Sequence, residues 1–357
     1  MKKFFLFALF FKISIGIAQS HKTENMIIVT LDGMRWQEVF GGVDKAILDD
    51  KRFTRDSEDI AKKFWSDDAN ERRKKLFPFF WNTIAHEGQL YGNRNIGSEV
   101  NNANPYKFSY PGYNEIFTGY PDTAVNSNDK ILNKNTNVLE FINKQKGYTG
   151  RVAVFSTWDV FPYILNKWRS GIYVNSDVDT LKFDNKQLQL INDIQFLTTR
   201  PIGVRPDVLT YIAGREYLKA YKPKVLYIAF DETDDFAHEG EYDQYLGSAH
   251  AEDGMIADLW KTVQSMPEYK NKTTLIVTCD HGRGDKIKEQ WRDHGEKVED
   301  AGHIWIAVMG PDTKASGEVK TSVPLYQKQI APTIAALLGF HFVPDHESSE
   351  TIVSVIK

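Results

Sequence analysis

Four short apolar runs in this chain each have an acid or a histidine at one end, and this pattern constrains the fold more than any other feature. The runs cover residues 27–31, 225–230, 274–279 and 304–309. Asp32 follows the first run, Asp234 and His238 follow the second, Asp280 and His281 follow the third, and His303 precedes the fourth. Continuous apolar runs of this length are typical of buried strands in a parallel sheet. Ligands of such sheets bind beyond the carboxyl ends of the strands, so the pattern predicts a functional site at that edge.

Segments with helical spacing alternate with these runs. A further strand is predicted at residues 151–155, and helices are predicted at 76–87, 137–144, 206–220, 242–266 and 327–338. Strands that alternate with helices favour right-handed crossovers and a parallel sheet. We therefore predict an α/β fold with a mostly parallel central sheet and helices on both faces. The mixed-charge stretch around residues 43–75 is predicted to be a solvated, partly helical insertion.

The first residues have the composition of a secretory leader. Lys2 and Lys3 precede an apolar stretch over residues 4–17, and Ala18 offers a cleavage site. The apolar stretch is too short to remain as a membrane span. We expect a signal peptide over 1–18 and a single domain over 19–357, in a secreted or periplasmic protein whose mature chain has no membrane span.

The net charge argues against a nucleic-acid-binding protein, and the cysteine content argues against a reactive thiol. The formal net charge is −4 at pH 7, and loss of the leader lysines makes it more negative. A nucleic-acid polymer is therefore not an expected partner, because binding to a phosphate backbone requires clustered Lys and Arg. The single cysteine, Cys279, lies inside an apolar run and is predicted to be a buried, inert thiol.

The acids and histidines at the strand ends are predicted to bind metal. Asp234 and His238 are four residues apart, a spacing that places both side chains on the same side of a helix. Mixed Asp and His ligands suit zinc, which accepts both imidazole and carboxylate. Each acid taken alone could be a helix cap or a turn residue. Three Asp and three His delivered to one edge of a sheet indicate a two-metal site instead.

A serine between the first two runs is the candidate nucleophile. Ser109 lies in the segment Lys-Phe-Ser-Tyr-Pro-Gly-Tyr over 107–113, where Pro111 and Gly112 are predicted to shape a turn into a helix. A metal ion next to Ser109 would lower the pKa of its hydroxyl and activate it for attack. The N-terminus of the following helix would favour an anionic ligand. By itself, a serine in such a turn is more typical of an N-cap.

The order of these motifs resembles that of the alkaline phosphatase superfamily. The series is Leu31-Asp32-Gly33, Ser109 ahead of Pro111 and Thr118-Gly119, Asp-x-x-x-His at 234–238, Asp-His-Gly at 280–282 and Gly-His at 302–303. The branch that the chain is most similar to is that of the nucleotide pyrophosphatases and phosphodiesterases. The resemblance extends over residues 32–338 and implies the fold of that superfamily with two zinc ions per chain.

The resemblance also implies how the ligands divide between the two zinc ions. Asp234, His238 and His303 would bind one ion. Asp32, Asp280, His281 and the Ser109 oxygen would bind the other. Relatives in that branch usually have Thr as the nucleophile, followed by an aromatic residue, Pro, Asn and His. This chain departs from them with Ser109, Tyr110, Pro111, Gly112 and Tyr113.

The reaction implied by the resemblance is hydrolysis of a phosphate ester. We expect a secreted di-zinc hydrolase that cleaves a small-molecule phosphate ester, as a phosphodiesterase or a phosphomonoesterase, through a covalent phosphoserine intermediate. The candidates for contact with the substrate phosphate are Asn126, Asn128, Arg283 and His294. A monoester dianion calls for fixed cations. Lys107 is the one cation close to Ser109 in sequence, which favours diesters.

Two alternatives remain open. Sulfatases share the scaffold, but their nucleophile is an oxidised Cys or Ser in a Cys/Ser-x-Pro-x-Arg motif, and Tyr113 occupies the Arg position here. Their usual metal is a single calcium ion bound through oxygen, whereas the ligand set of this chain includes three histidines, which a hard cation does not favour. The second alternative is a non-catalytic surface binding protein built on an inactive hydrolase. The presence of every expected ligand residue favours an enzyme.

Overall fold

The computed structural model describes residues 22–199 and 203–356. The predicted signal peptide, residues 1–18, lies outside the described residues. Among the described helices, none combines the length and the apolar character needed to cross a bilayer. That residues 19–357 form a single domain stays a prediction.

Eleven strands form two sheets in the described part of the chain. They are β1 (Asn25–Leu31), β2 (Gln89–Tyr91), β3 (Val100–Asn101), β4 (Val152–Ser156), β5 (Tyr173–Ser176), β6 (Val225–Phe230), β7 (Thr273–Thr278), β8 (His303–Ile304), β9 (Ile306–Met309), β10 (Gly317–Glu318) and β11 (Leu325–Tyr326). The large sheet has the strand order β10-β2-β9-β7-β1-β6-β4-β5, and the small sheet has the order β11-β3-β8.

The central strands of the large sheet are parallel. β1 pairs in parallel with both β6 and β7, and β4 pairs in parallel with both β6 and β5. β9 is antiparallel to β7 and to β2. Every residue of β1, β6 and β7 is buried, as expected for strands covered on both faces. The predicted α/β fold with a mostly parallel central sheet is confirmed, and β1, β6 and β7 direct their carboxyl ends to the same edge.

Helices flank the sheet. They are α1 (Trp36–Gly41), α2 (Lys45–Leu48), α3 (Ser57–Phe64), α4 (Ala69–Leu76), α5 (Ala85–Glu87), α6 (Ser109–Thr118), α7 (Val138–Asn143), α8 (Phe161–Ile164), α9 (Lys167–Ser170), α10 (Lys186–Leu197), α11 (Asp207–Tyr221), α12 (Glu232–Glu239), α13 (Tyr242–Ser265) and α14 (Ile330–Leu337). The helices α7, α11, α13 and α14 correspond to predicted segments. The charged stretch is partly helical, as predicted: it contains α2, α3 and α4, whose first turns are capped by the carboxylates of Asp44, Asp56 and Asp68.

The helix predicted over residues 76–87 is not one regular α-helix. A π-helix covers Phe80–Ile84 and continues directly into α5. The carboxylate of Asp253 on α13 accepts hydrogen bonds from the backbone N–H groups of Phe79 at 2.7 Å and Phe80 at 2.9 Å. The first N–H groups of a helix have no partner within it, so a side chain from another helix caps this segment.

The strand predicted over residues 304–309 is interrupted at Trp305, and the prediction of one continuous strand is wrong. β8 joins the small sheet, where His303 pairs with Asn101, while β9 joins the large sheet beside β7. The Trp305 side chain is buried, and its indole N–H donates to the Met34 carbonyl at 3.0 Å. This anchor fixes the break and places His303 on a different sheet from the other predicted ligands.

Candidate active site

The innermost part of the site comes from the ends of two neighbouring parallel strands. Asp32 follows β1 directly, and Asp280 and His281 follow β7 after Cys279. All four residues are at most 1% exposed. Burial raises the pKa of the Cys279 thiol well above its usual value, which agrees with the predicted inert thiol. Because β1 and β7 are hydrogen-bonded neighbours, the three polar side chains meet at one point of the sheet edge.

The Nε2 atom of His281 lies at the centre of these side chains. It is 3.4 Å from Asp32 Oδ1, 3.4 Å from Asp280 Oδ2 and 3.5 Å from Ser109 Oγ. The other ring nitrogen, Nδ1, lies 3.0 Å from the Gly282 carbonyl oxygen. A carbonyl can only accept, so Nδ1 carries the proton and the Nε2 lone pair faces the acids and the serine.

Two buried carboxylate oxygens at this point lack hydrogen-bond partners among the described residues. They are Asp32 Oδ1 and Asp280 Oδ2. The second oxygen of each carboxylate is held, since the Tyr113 hydroxyl donates to Asp32 Oδ2 at 2.9 Å and the Gly33 N–H donates to Asp280 Oδ1 at 3.0 Å. Ligands of tetrahedral zinc at ~2.0–2.1 Å are about 3.3 Å apart, close to the spacing of these atoms. The donor set therefore fits a metal ion.

The acids of this group repel one another when no cation is present. Burial, together with the charges of Asp280 and Asp234, raises the pKa of Asp32 well above its usual range. Burial also raises the pKa of Asp280 to about 8, and the charge of Asp234 adds to the effect. A divalent cation between these carboxylates would favour their ionised forms, so the electrostatics also fit a metal site.

A second group of donors comes from α12 and from the segment between β7 and β8. His238 Nε2 lies 3.2 Å from Asp234 Oδ2 and 2.8 Å from the Nε2 atom of His294. His294 Nε2 is also 3.8 Å from Asp234 Oδ1. The His294 ring stacks on His281, with ring centroids 4.0 Å apart, and donor atoms of Asp234, His281 and His294 lie within 4.8 Å of one another. The two groups are therefore adjacent, with Asp234 and His281 at their junction.

The side chain of Arg283 supports Asp234 from the protein interior. Its guanidinium forms an ion pair with Asp234 Oδ1 and donates to the carbonyl oxygens of Gly33 at 3.2 Å and Arg292 at 2.5 Å. Burial raises the pKa of Asp234, but Arg283 and two histidines outweigh it and hold that pKa well below the usual range. Arg283 is 1% exposed, and each of its three guanidinium nitrogens already donates a hydrogen bond to the protein. This placement does not fit the predicted contact of Arg283 with a substrate phosphate.

His303 is not brought to the other predicted ligands. It belongs to neither group of converging donors in the described part of the chain. Its backbone passes next to Gly282, where a Cβ would lie 2.3 Å from the His303 carbonyl oxygen, but its Nδ1 faces Asp300 at 4.0 Å. Burial and the charge of Arg94 lower its pKa to about 4. Beside Asp234 and His238 the structure instead places His294, which was predicted to contact substrate.

Ser109 is the first residue of α6, so the turn precedes it, and Pro111 and Gly112 lie inside the helix. This corrects the predicted turn after the serine. Gly112 allows α6 to pack closely, because a Cβ at this position would lie 2.5 Å from the Asp280 carbonyl oxygen. The contact brings the start of α6, and with it the Ser109 hydroxyl, against the end of β7.

The backbone before Ser109 is strained and linked to the second group of donors. Lys107 has φ = 53°, a left-handed conformation that is uncommon for residues other than glycine and is often found at functional sites. Its carbonyl oxygen accepts from the N–H of Gly295 at 2.9 Å. Its ammonium lies 3.3 Å from the Val298 carbonyl oxygen, not at the serine. The nucleophile loop and the segment that carries His294 therefore support each other.

The two predicted asparagines have different positions. Asn128 lines the same cavity as Ser109, and its Oδ1 accepts from the Tyr110 N–H at 2.9 Å. That bond orients the amide, and its NH₂ group donates to no other described residue. Asn126 lines a separate cavity with Tyr110 and Ile131. Only Asn128 is therefore placed at the nucleophile.

Sequence comparison identifies the family. The family model described as type I phosphodiesterase / nucleotide pyrophosphatase matches residues 41–329. The chain belongs to this family. The predicted resemblance to the nucleotide pyrophosphatase/phosphodiesterase branch is thereby confirmed. A search of curated proteins finds no match.

Solved structures confirm the superfamily fold. The alkaline phosphatase PafA superposes with a TM-score of 0.65 at 11% identity, and the match covers 94% of this chain and 99% of that chain. BT1596, a 2-O GAG sulfatase, gives a TM-score of 0.60 at 14% identity, covering 94% of this chain and 74% of that chain. An alkaline phosphatase superfamily protein from Vibrio parahaemolyticus gives 0.55 at 11% identity, covering 90% and 67%. These likenesses show the fold, and membership of the type I phosphodiesterase / nucleotide pyrophosphatase family makes this protein a hydrolase.

Proposed function

We propose that this protein is a secreted di-zinc phosphodiesterase that transfers a phosphoryl group first to Ser109 and then to water. One observation carries the proposal. The Ser109 hydroxyl, the His281 Nε2 atom and the unpartnered oxygens of Asp32 and Asp280 converge at the buried edge of the sheet. A nucleophile beside a metal-ligand set is what covalent catalysis by a serine of low intrinsic reactivity requires.

The proposed ligands form two sets. Asp32, Asp280, His281 and Ser109 would hold one zinc ion. Asp234, His238 and His294 would hold the other, with His294 in the role that the sequence suggested for His303. Zinc in the first set would lower the pKa of the Ser109 hydroxyl, and zinc in both sets would offset negative charge on the phosphoryl oxygens.

The surrounding side chains hold these groups in position. Tyr113 orients Asp32 through one carboxylate oxygen and leaves the other for the metal. Arg283 keeps Asp234 ionised. Asn128 lines the cavity beside Ser109, and its Oδ1 is held by the Tyr110 N–H, so its NH₂ group would be the one to donate to a phosphoryl oxygen. Such fixed donors stabilise developing charge without reorganisation during the reaction.

The charge of the cavity favours a diester over a monoester. Neither Lys nor Arg lines the cavity beside Ser109 among the described residues. A monoester dianion would have only the metal ions to balance its charge, whereas a diester carries a single negative charge. Secretion rests on the leader at residues 1–18, whose lysines and apolar stretch match a signal peptide.

Parallel rate measurements test this proposal. Purified zinc-loaded protein should cleave bis-p-nitrophenyl phosphate at least as fast as p-nitrophenyl phosphate, and both much faster than p-nitrophenyl sulfate. Chelation should abolish the activity, and zinc should restore it better than calcium. Sulfate cleavage restored by calcium would favour a sulfatase instead. A folded, zinc-loaded protein that cleaves none of the three would favour a non-catalytic binding protein.

A further inference from the structure

The cavity beside Ser109 is acidic. Its volume is about 280 Å³, and four carboxylates line it: Asp231, Asp234, Asp235 and Glu239. The described lining residues include no Lys, Arg or His. Lys130, two residues after Asn128, is paired with Asp159 at 2.6 Å. An anionic substrate alone does not account for so much negative charge at this position.

One of these carboxylates is buried, and its side chain has no partner among the described residues. Asp231 is 8% exposed, and its side chain makes no hydrogen bond or ion pair with any described residue, although its backbone N–H donates to Asp207 at 3.0 Å. It precedes α12 as the N-cap residue but does not cap the helix through its side chain. A buried carboxylate without a partner costs free energy, which a cationic ligand in the cavity would recover.

The other acids differ in what already neutralises them. Asp234 is paired with Arg283 and belongs to the proposed metal ligands. Asp235 is partly buried and Glu239 is exposed at the rim, and neither forms an ion pair with a described Lys or Arg. Three acids, Asp231, Asp235 and Glu239, are thus left to attract a cation beyond the phosphorus position.

An aromatic ring forms part of the wall of the same cavity. Trp158 is partly exposed and lines the cavity together with Ser109. Its position is fixed by a backbone bridge to Val204 and by an edge-on contact with Phe161, with ring centroids 6.4 Å apart. A tryptophan face attracts cations, and aromatic walls with carboxylates are the usual way in which proteins bind quaternary ammonium groups.

We propose that this cavity binds a positively charged ammonium group on the substrate, so that the preferred substrates are phosphate diesters of an aminoalkyl or trimethylammonioalkyl alcohol. The cation would lie between the Trp158 ring and the carboxylates of Asp231 and Asp235, while its phosphate faces Ser109. This inference rests on the proposed phosphodiesterase function and names the substrate class of the same site.

Two substrates that differ in one atom test the inference. They are p-nitrophenyl phosphorylcholine and p-nitrophenyl 3,3-dimethylbutyl phosphate, in which carbon replaces the ammonium nitrogen. Both release the same leaving group, so the ratio of their kcat/KM values reports on the cation. We expect the zinc-loaded enzyme to prefer the cationic ester about tenfold or more, since a desolvated cation–aromatic contact combined with carboxylates reaches that size. Choline should also inhibit cleavage of the neutral ester better than 3,3-dimethylbutanol does.

Variants assign the effect to the cavity. Asp231→Asn and Asp235→Asn should each lower the ratio, and the double variant should bring it close to one. Asp243→Asn is the matched control: it removes the same charge from the first turn of α13, outside the cavity, and should leave the ratio unchanged.

The outcomes separate the two proposals. Rapid cleavage of the neutral ester with a ratio near one would overturn the ammonium site and leave the phosphodiesterase proposal intact. A third metal ion per chain that disappears in Asp231→Asn would also overturn it, because the acids would then be metal ligands. Cleavage of neither ester by folded, zinc-loaded protein would overturn both proposals.

Discussion

The two halves of the candidate site differ in burial and in the structure that carries them. The inner half consists of Asp32, Asp280 and His281, whose side chains are at most 1% exposed. The outer half consists of Asp234, His238 and His294, and its histidines are 13% and 46% exposed. The inner ligands follow two hydrogen-bonded strands, whereas the outer ligands come from a short helix and an irregular segment. We therefore expect a metal ion in the outer half to exchange faster than one in the inner half.

This contrast shows how a single site can combine a fixed part with an adjustable one. Strand register determines the relative positions of Asp32 and Asp280. In the outer half the relative positions of His238 and His294 depend on loop packing. This packing includes the hydrogen bond from the Gly295 N–H to the Lys107 carbonyl oxygen. Loops have fewer constraints on their backbone than paired strands.

The largest expected effect is that of Ser109→Ala, which removes the proposed nucleophile from the inner half. Turnover of a phosphodiester should fall on the order of 10⁴-fold or more, as it does when the nucleophile of a serine enzyme is removed. Both metal ions should remain bound, because the carboxylate and imidazole ligands are unchanged. Metal content by mass spectrometry and hydrolysis rates check both points. Activity close to that of the wild type would exclude Ser109 as the nucleophile.

The outer half is tested by comparing His294→Ala with His303→Ala. His294→Ala should lose one zinc ion per chain and about 10²-fold or more in activity, since even residues that only orient a ligand cost 10–100-fold. His303→Ala should keep both ions, because its ring faces Asp300 and not the site. The reverse result would restore the ligand assignment made from the sequence motif.

Arg283→Gln should affect the protein differently with and without metal. In chelated protein the variant leaves the largely buried carboxylate of Asp234, 14% exposed, without its ion pair, which should cost up to about 3 kcal/mol in the free energy of unfolding. Zinc would neutralise the same carboxylate, so the loss should be smaller in loaded protein. Urea unfolding of both forms measures the difference. Arg35→Gln is the control, since Arg35 is a buried arginine paired with Glu38 at 3.2 Å and should give equal losses in both forms.

A smaller effect is expected for a buried carboxylate outside the site. Burial raises the pKa of Asp253 from 3.8 to about 7, although the N–H groups of Phe79 and Phe80 oppose the shift. The folded state therefore binds more protons than the unfolded state in this window. The stability of the wild type relative to Asp253→Asn should be greatest below pH 4 and should decrease as the pH rises to about 7. Urea unfolding at several pH values measures this trend.

The partly exposed Asp258 on the same helix provides the contrasting case. Hydrogen bonds from Tyr211 and Arg215 lower its pKa below 3.8. Its contribution to stability is present above the unfolded-state pKa and is lost as the pH falls through the lower, folded-state value. The stability difference between the wild type and Asp258→Asn should therefore not vary between pH 5 and pH 7. A trend like that of Asp253 would show that burial is not the cause.

The part of the fold that the sequence predicted is the part with clear periodicity. Apolar runs identified β1, β6 and β7, and helical spacing identified α7, α11 and α13. The run over 304–309 misled because its apolar residues belong to two sheets, and only the tertiary contact of Trp305 with Met34 reveals the break. Strands of two or three residues, such as β2 and β3, are too short to produce a periodic signal.

In the site, too, the residues predicted correctly are those that lie on or next to elements with clear periodicity. Strand ends bring together Asp32, Asp280 and His281, and the four-residue spacing places Asp234 beside His238. His294 lies in a stretch with only short 3₁₀ turns, where no periodicity indicates which way a side chain points. A signal was nevertheless present, because Asp293-His294-Gly295 repeats the Asp-His-Gly triplet at 280–282.

The position of Cys279 makes its thiol a native probe of local opening at the site. It is the single cysteine of the chain, it is fully buried at the end of β7, and its carbonyl oxygen accepts from Gln327 Nε2 at 3.0 Å. Alkylation requires both a thiolate and access for the reagent. A reagent can therefore reach this sulfur only while the end of β7 is separated from its neighbours. The alkylation rate of the native protein, with no engineered label, would time how often the innermost strand of the site opens.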